Sequence, residues 1–503
     1  MDHFHTRTHN LKGTISPHIQ QNIKYTTKVM QDCNDLVQKQ FKIGIDHEIS
    51  IYIVYMDGLV NTEMLQESVI RPLLQDSFPQ ERTAISQYVI ESADWKWIDT
   101  MEDAMTAVLS GNTVLFLDGE ARAILFSSKS FPTRGVQNAD QEVAIVGPKD
   151  SFTESLRMNT ALIRRRIRDT RLKVIQKQIG TRSKTDYALM YIEDLVQKDI
   201  LNKIQKQMDK ICVDGIFDNG MLQQYLEKDS KTPFPLYQLT QRPDKVASSI
   251  MEGRIAVVLD NSPMVLLLPV TLNVFFQASD DYYNRWEITT FVRILRYMAA
   301  IISIGLPGFY VAIAGFHPEV LPTPFLLALI SAREGVPFPV IVEVLLMELS
   351  FELLREAGIR LPGQLGGTMG VVGGLIVGQA AVDAHLVSTI VVIVVALTAI
   401  ATFSIPNELF TSAFRLMKFF LIILCAFWGL YGFFLGFLAI FIHLFYLENY
   451  GVPYAHPMVE ERGRLSTAFQ DFMVRYPLKR MKYRPEFTKE GARVRQKEDE
   501  DEK

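Results

Sequence analysis

The uneven distribution of charge along the chain constrains its fold more than any other feature. Residues 1–290 and 455–503 carry dense charge of both signs, whereas between Tyr297 and Leu447 charges are rare and apolar runs are long. This division is typical of a soluble module joined to a membrane domain. We therefore expect a multi-domain protein, with an α/β cytoplasmic part followed by an α-helical multi-pass membrane domain.

The N-terminal part is predicted to stay in the cytoplasm. The first forty residues are hydrophilic and lack the apolar core and cleavage site of a signal peptide. Cys33, Cys212 and Cys425 have neither metal-type nor disulfide-type spacing. The net charge of −4 gives no footprint for nucleic acid, which we do not expect as a partner.

The soluble part contains an internal repeat. The β-rich run IYIVYMDGLV at 51–60 is echoed by ALMYIEDLV at 188–196. The stretch that starts at Met101 also aligns without a gap with the one that starts at Pro243. Two copies of a unit of strand, helix, helix and hairpin predict a duplicated α/β domain. The predicted division is an N-terminal helical segment (1–44), α/β subdomain 1 (45–145), a basic linker helix (146–179), α/β subdomain 2 (180–285), a transmembrane helical domain (290–450) and a cytoplasmic amphipathic and charged tail (451–503).

The soluble part shows no pattern of catalytic residues. Asp57, Asp118, Glu193 and Asp260 follow strands, where the chemistry of turns explains acidic residues. The sequence has no GxSxG, Walker or HExxH motif. We therefore expect neither enzyme activity nor a metal or cofactor.

A basic helix is predicted between the two copies. Ser151 and Glu154 have the spacing of a capping box for a helix that begins near Phe152. Two interpretations are open: a docked helix with a solvated basic face, or a surface for an acidic partner or lipid headgroups. The basic residues are Arg157, Arg164, Arg165, Arg166 and Arg168.

Three segments, 297–316, 386–405 and 419–447, are long and apolar enough to span a bilayer. Basic residues flank both ends of the hydrophobic part and place both ends in the cytoplasm, which requires an even number of spans. At least one of the less regular segments between them must therefore span or re-enter. Those segments are 322–330, 339–355 and 365–382.

The segment 339–355 contains charges, which are costly at membrane depth. On a helix, Glu348, Glu352 and Arg355 fall within about 60 degrees of one another, with Glu356 beside them. Two interpretations are open: a functional cluster that faces a bundle interior or wet cavity, and an intersubunit or interhelical ion-pair network.

Glycines recur at four-residue intervals in the segment 365–382, a pattern that allows close packing of helices. The opposite, sparsely polar face either lines a conduit with an apolar constriction or is buried on all sides. The packing glycines are Gly366, Gly370, Gly374 and Gly378, and the pore-lining candidates are Thr368, Val372, Leu375 and Gln379.

The C-terminal tail combines basic and apolar residues. The stretch RGRLSTAFQDFMVRYPLKRMKYRPE at 462–486 predicts an amphipathic segment that lies along an anionic leaflet. The acidic end EDEDEK is predicted to be disordered.

Six blocks, in this order, resemble the signature blocks of the GerA family of spore germinant receptor A subunits. They are GPKDSFTESLRMNTALIRRRI, RPDKVASSIMEGRIAVVLDNSP, DDYYNRW, VPFPVIVEVLLMELSFELLREAGIRLP, GVVGGLIVGQAAVDAHLVS and YGVPYAHP. Together they extend along essentially the whole chain, which makes the resemblance specific.

The resemblance implies a protein of the inner membrane of the bacterial endospore, with its large N-terminal domain on the spore-core side. It implies two partners, a transporter-like B subunit that binds the nutrient and a lipoprotein C subunit. It also implies self-association into a ring, a pentamer, whose helices contact membrane lipids and form a germinant-gated channel for monovalent cations. Val372, Leu375 and Gln379 are then the residues that face the pore.

Three alternatives stay open at this point. A GerA paralogue encoded in the SpoVA operon, which amplifies ion release, shares the same blocks. A secondary transporter is favoured by prolines that interrupt the helices and by intramembrane acids. A membrane scaffold would use the duplicated domain only for oligomerisation.

Overall fold

The structure is a computed structural model that describes residues 13–43, 49–74, 95–130, 146–227, 231–360, 377–459, 471–485 and 487–496. The chain divides into two compact units. The α/β unit comprises Met1–Ser230, Tyr237–Val270 and Pro477–Lys503, and the helical unit comprises Lys231–Leu236 and Thr271–Tyr476.

The first half of the α/β unit is built on a five-stranded antiparallel sheet. Its elements are α1 (Ile19–Val29), β1 (Leu36–Ile43), β2 (Ile49–Met56), α2 (Thr62–Leu65), a π-helical turn (Gln66–Ile70), α3 (Arg71–Leu73), β3 (Trp95–Ile98), α4 (Met101–Leu109), β4 (Thr113–Leu117) and β5 (Ala123–Phe126). The strand order is β1-β2-β4-β5-β3. Successive residues of β2 point to opposite faces, and both sets are buried, Ile51 and Ile53 on one side and Tyr52 and Val54 on the other. Apolar packing therefore covers both faces of this strand.

The second half repeats this arrangement. Its elements are α5 (Leu156–Arg166), β6 (Leu172–Ile179), β7 (Thr185–Ile192), α6 (Lys198–Met208), α7 (Asn219–Leu226), β8 (Gln238–Thr240), α8 (Pro243–Met251), β9 (Ile255–Leu259) and β10 (Val265–Leu268). The strand order β6-β7-β9-β10-β8 matches that of the first half position by position. Each half therefore forms a five-stranded antiparallel sheet with the same strand order.

The first helix and strand of each half lie outside the predicted subdomain boundaries. Helix α1 and strand β1 lie in the range predicted as an N-terminal helical segment, 1–44, and α5 and β6 lie in the range predicted as a linker, 146–179. Both strands are at sheet edges, and their middle residues are exposed and polar. They lack the apolar run by which β2 and β7 are recognised, so the boundaries at 45 and 180 fall too late.

An aspartate in the β-hairpin of each half binds the start of its first helix. Asp118 accepts a hydrogen bond from the amide of Ile19 at 3.1 Å, and Asp260 accepts one from Leu156 at 2.9 Å. The predicted capping box is therefore wrong, because α5 begins at Leu156 rather than near Phe152. A distant carboxylate satisfies the first amide instead, so Asp118 and Asp260 do more than form turns.

We expect Asp260→Ala to lower the stability of the first turn of α5 by about 1 kcal/mol, because a helix N-terminus loses its capping carboxylate. Hydrogen exchange of the amides at 156–159 should accelerate about fivefold, since 1.4 kcal/mol corresponds to a factor of ten. Glu154→Ala is the matched control, because Glu154 is exposed and would matter only in the capping box. A larger effect from Glu154→Ala than from Asp260→Ala would contradict this assignment.

The helical unit contains several apolar helices. They are α9 (Trp286–Phe316), α10 (Thr323–Ala332), α11 (Val340–Arg360), α12 (377–383), α13 (Thr389–Phe403) and a helical stretch at Glu408–Tyr446. By length and composition, Trp286–Phe316 and Glu408–Tyr446 could each cross a membrane. The remaining described helices are shorter or carry more charge.

The stretch Glu408–Tyr446 consists of two helices, α14 (408–428) and α15 (430–446), which meet at Gly429. This glycine has φ 56° and ψ −136°, which no helix accommodates. The ring of Phe234 lies 6.1 Å from the rings of both Phe410 and His443. In one continuous helix, positions 410 and 443 would be about 50 Å apart. The chain therefore reverses at Gly429.

The predicted single span at 419–447 is accordingly divided between two antiparallel helices. A glycine is needed at the reversal, because a Cβ at Gly429 would lie 2.9 Å from Phe316 Cβ and 3.0 Å from His317 Nε2. The apolar residues continue on both sides of Gly429, so hydropathy alone does not reveal the turn.

Helices α11 and α13 run in the same direction. Near their N-terminal ends, Glu343 accepts a hydrogen bond from the amide of Ser388 at 2.9 Å. Nearer their C-terminal ends, the rings of Phe351 and Phe403 are 6.3 Å apart. The two helices are therefore parallel neighbours within the helical unit.

The end of the tail packs on the second half of the α/β unit. Thr488 donates a hydrogen bond to the carbonyl of Glu252 at 2.6 Å, and the amide of Lys489 donates one to Leu195 at 2.9 Å. Phe487 is buried. This packing concerns residues that follow the stretch 462–486, whose placement along a leaflet stays a prediction.

Candidate functional site: an ion-pair network in the helical unit

Helix α11 presents charged residues to α14. Glu348, Glu352 and Arg355 are separated by four and three residues, so they lie on one face of α11. Their partners on α14 follow in the opposite order, which means that the two helices are antiparallel. The three ion pairs are Glu348–Lys418, Glu352–Arg415 and Arg355–Glu408.

The pair of Glu348 and Lys418 is the most deeply buried of the three. Glu348 is 1% exposed and Lys418 is 4% exposed. The Lys418 ammonium donates a hydrogen bond to one carboxylate oxygen of Glu348, and the other oxygen, Oε1, is buried without a partner. Burial of two charges carries a large desolvation cost, which their mutual attraction offsets only while both are present.

The pairs become more exposed toward the start of α14. Arg415 donates hydrogen bonds to Glu352 and to Ser412. The side chains of Arg415 and Glu352 are half-buried. Arg355 lies 3.5 Å from Glu408, whose side chain is 68% exposed. The network therefore extends from the interior of the helical unit to its surface.

Glu343 forms a second charged contact on α11. It is fully buried, and Arg333 donates a hydrogen bond to its Oε1 at 3.2 Å. Its other oxygen accepts the Ser388 amide at the start of α13. One carboxylate thus holds the ends of three segments together.

The sequence identifies the α11 charges but not Glu343 or the α14 partners. Arg415 and Lys418 directly precede the third apolar segment, so its hydropathy does not indicate them as intramembrane charges. A signal for them exists: two apolar helices whose few charges have opposite signs can pair. The partner of Glu348 lies 70 residues away along the sequence, however, so spacing within one helix cannot identify it.

The other residues predicted for the membrane part are described only in part. Glu356 is exposed at the end of α11. Gln379 is exposed on α12 and donates a hydrogen bond to Asp383 at 3.0 Å, while a Cβ at Gly378 would lie 3.4 Å from Val392. Outside the described residues lie Gly366, Thr368, Gly370, Val372, Gly374 and Leu375.

The basic helix α5 is docked within the α/β unit. Arg164 is buried and donates two hydrogen bonds, at 2.6 and 2.9 Å, to Asp35, which precedes β1 in the first half. Burial alone would lower the pKa of the Arg164 guanidinium, but the charge of Asp35 and the hydrogen bonds to it raise that pKa above its ordinary value. Arg157 pairs with Asp57 at 2.7 Å. Arg164 therefore joins the second half to the first.

The remaining basic residues of this helix are less buried. Arg166 is half-buried and pairs with Asp150 at 2.5 Å. Arg165 and Arg168 are exposed. Part of the basic surface is therefore neutralised by ion pairs within the unit.

A further network lies at the start of α9. Arg293 is fully buried and donates hydrogen bonds to Asp281 at 2.9 Å and to Asp471 at 2.6 Å. Arg296 also pairs with Asp281, at 2.8 Å. These two arginines are the basic residues that flank the start of the hydrophobic part in the sequence. In the structure they hold the start of α9 against the segment that contains Asp471.

These arrangements hold neighbouring segments of the chain together. Each network is an array of carboxylates paired with cations. Among the described residues, no group of three His, Cys, Asp or Glu side chains could hold a metal ion. The site is a set of ion pairs between helices.

The sequence from 24 to 487 matches the model of a protein family described as Bacillus/Clostridium GerA spore germination protein. The chain belongs to the GerA family. A match over so much of the chain includes both units and all of the networks above. The resemblance carried by the six sequence blocks is thereby confirmed.

Relatives of this GerA-family chain are similar along most of their length. Spore germination protein KA of Bacillus subtilis is 38% identical over 96% of this chain and 89% of its own. The uncharacterized membrane protein YfkQ of the same organism is also 38% identical, over 88% of this chain and 87% of its own. The crystal structure of the N-terminal domain of the A subunit of the Bacillus megaterium spore germinant receptor GerK3 is 28% identical, with a TM-score of 0.41, over 51% of this chain and 96% of that one.

Proposed function

We propose that this chain is the A subunit of a nutrient germinant receptor in the inner membrane of the spore, and that its helical unit forms or gates a cation channel. The observation that carries the proposal is the placement of charge in the helical unit. Glu343, Glu348 and Lys418 are buried, whereas large apolar side chains are exposed on the same helices and on their neighbours. That placement suits a helix bundle surrounded by lipid. The exposed apolar residues include Phe291, Ile301, Ile400, Phe427, Phe434 and Ile442.

The proposed topology has an even number of crossings, with both ends of the hydrophobic part on the spore-core side. Helices α9, α11, α13, α14 and α15 are proposed to cross the membrane. The pore-lining candidates stay those predicted from the sequence, Thr368, Val372, Leu375 and Gln379.

The proposed partners follow from the family resemblance. A transporter-like B subunit would bind the nutrient, and a lipoprotein C subunit would complete the receptor. Five copies of this chain would surround the conduit, through which monovalent cations leave the core. The observed networks support the part of this proposal that concerns one copy, because they hold its helices together.

The test is potassium flux through the full chain reconstituted in liposomes with its B and C partners. Nutrient addition is expected to raise the flux, and Val372→Ala or Leu375→Ala, which widen the proposed constriction, are expected to raise the flux without nutrient. Gly378→Ala, on the packing face of the same segment, is the control for general disturbance. Flux that requires a co-transported substrate would indicate a secondary transporter, and no flux from folded, oligomeric protein would indicate a scaffold. Nutrient-independent flux in the native chain would favour the ion-releasing paralogue.

A further inference from the structure

A six-residue peptide from the middle of the α/β sequence belongs to the helical unit. Lys231–Leu236 lies between α7 and β8 in the chain, and both of these elements are part of the α/β unit. At its centre, Phe234 is 2% exposed. The peptide KTPFPL is therefore a place where the α/β chain enters the helical unit, and we call it the insertion peptide.

Phe234 packs against both ends of the α14–α15 hairpin. Its ring lies 6.1 Å from Phe410 and 6.3 Å from Phe414, near the start of α14. It lies 6.1 Å from His443, near the end of α15. Because the hairpin bends at Gly429, these two ends are its open side. Relative movement of the two helices at this side requires Phe234 to repack.

Hydrogen bonds hold the rest of the insertion peptide. The hydroxyl of Thr232 and Nε2 of His443 are 2.9 Å apart. The hydroxyl of Tyr454 donates to the carbonyl of Pro235 at 3.0 Å, and the Asn449 amide donates to the carbonyl of Leu236. The peptide is therefore attached to α15 and to the chain that follows it.

Two prolines make the insertion peptide stiff. Pro233 and Pro235 have fixed φ angles, and each restricts the residue before it to extended conformations. Thr232 and Phe234 are those preceding residues. Tyr237 follows directly and leads into β8, an edge strand of the second sheet. Because the backbone between them is stiff, a displacement of β8 along the chain direction would move Phe234 by a similar distance, with little bending of the peptide.

We propose that the insertion peptide couples the second half of the α/β unit to the α14–α15 hairpin, with Phe234 as the positioning residue. A shift of β8 moves Phe234 between Phe410 and His443 and so changes the spacing of α14 and α15. Arg415 and Lys418 are on α14, so the distances in their ion pairs change with the same displacement. The functional part of this inference, that coupling controls germination, rests on the proposed function.

The first experiment softens the peptide without removing its ring. Pro233→Ala combined with Pro235→Ala keeps Phe234 but frees the backbone on both sides of it. In spores whose sole receptor contains this chain, the nutrient concentration for half-maximal germination should rise about tenfold, a typical size for coupling between two sites. The probe is a defined mixture of amino acids, nucleosides and sugars. The amount of receptor in the spore should be unchanged.

The chain offers a matched control. Pro322 and Pro324 are also two residues apart, but they flank Thr323, and Phe325, which follows them, is 51% exposed. Pro322→Ala with Pro324→Ala should leave the response unchanged. If Phe234 only fills space, the Pro233 and Pro235 variant would respond like the native chain, and that result overturns the proposal.

A second readout does not depend on germination. Gly436→Ala should loosen the hairpin, because a Cβ there would clash with Leu421. In the full chain in lipid nanodiscs, this change should accelerate hydrogen exchange at Leu239 and Thr240 in β8 about tenfold. With both prolines also replaced, the acceleration should fall below about twofold. Equal acceleration in the two backgrounds overturns the coupling. If deletion of the gene leaves germination unchanged while the exchange result holds, the proposed function fails and the coupling stands.

Discussion

Lys418→Met is expected to lower the free energy of unfolding of the helical unit by about 3–5 kcal/mol, because it leaves the Glu348 carboxylate buried without a counter-charge. Glu348→Gln should have a comparable effect, since Lys418 then loses its partner. Hydrogen exchange of amides in the middle of α11 and α14, measured on the full chain in nanodiscs, should accelerate by at least about 100-fold.

The double variant with Glu348→Gln and Lys418→Met distinguishes a buried ion pair from general packing. Removing both charges should restore most of the protection, because replacing a buried pair by uncharged groups of similar size is often neutral. Glu408→Gln is the control, with an expected effect below about 1 kcal/mol, because the side chain of Glu408 is 68% exposed. Additive losses in the double variant would show that the two residues do not interact.

Arg164→Met is expected to destabilise the α/β unit by about 3–5 kcal/mol, because Asp35 stays buried without its partner. The two hydrogen bonds from Arg164 connect the second half to the first, so the loss should appear in both sheets. Hydrogen exchange of β2 and β7 should therefore accelerate together, by at least about 100-fold.

An exposed pair provides the comparison for this second prediction. Lys177 and Asp209 are 2.9 Å apart, but their side chains are 41% and 55% exposed. Lys177→Met should change the stability by less than about 1 kcal/mol, because water screens the pair. If Arg164→Met accelerates exchange only in β7, then Arg164 stabilises the second half alone and the proposed link between the halves is incorrect.

Local sequence patterns predicted the helices and strands in which apolar residues recur at regular intervals. The alignment of the two repeats correctly anticipates the matching hairpins, because side chains alternate along strands and turn residues mark their ends. The edge strands β1 and β6 were missed, since exposed polar residues interrupt that alternation. The start of α5 was misplaced for a related reason: Asp260, which binds its first amide, is 104 residues away along the chain.

The sequence by itself determined the separation into an α/β part and an apolar helical part, the repeat, the family, and the common face of Glu348, Glu352 and Arg355 on one helix. All of these depend on composition or on spacing within a short segment. Only the tertiary structure decided that α14 and α15 reverse at Gly429, that Lys418 is the partner of Glu348, and that the insertion peptide enters the helical unit. Apolar packing is non-directional and fits many partners, so helices of similar hydropathy do not specify in their sequences which neighbours they will contact.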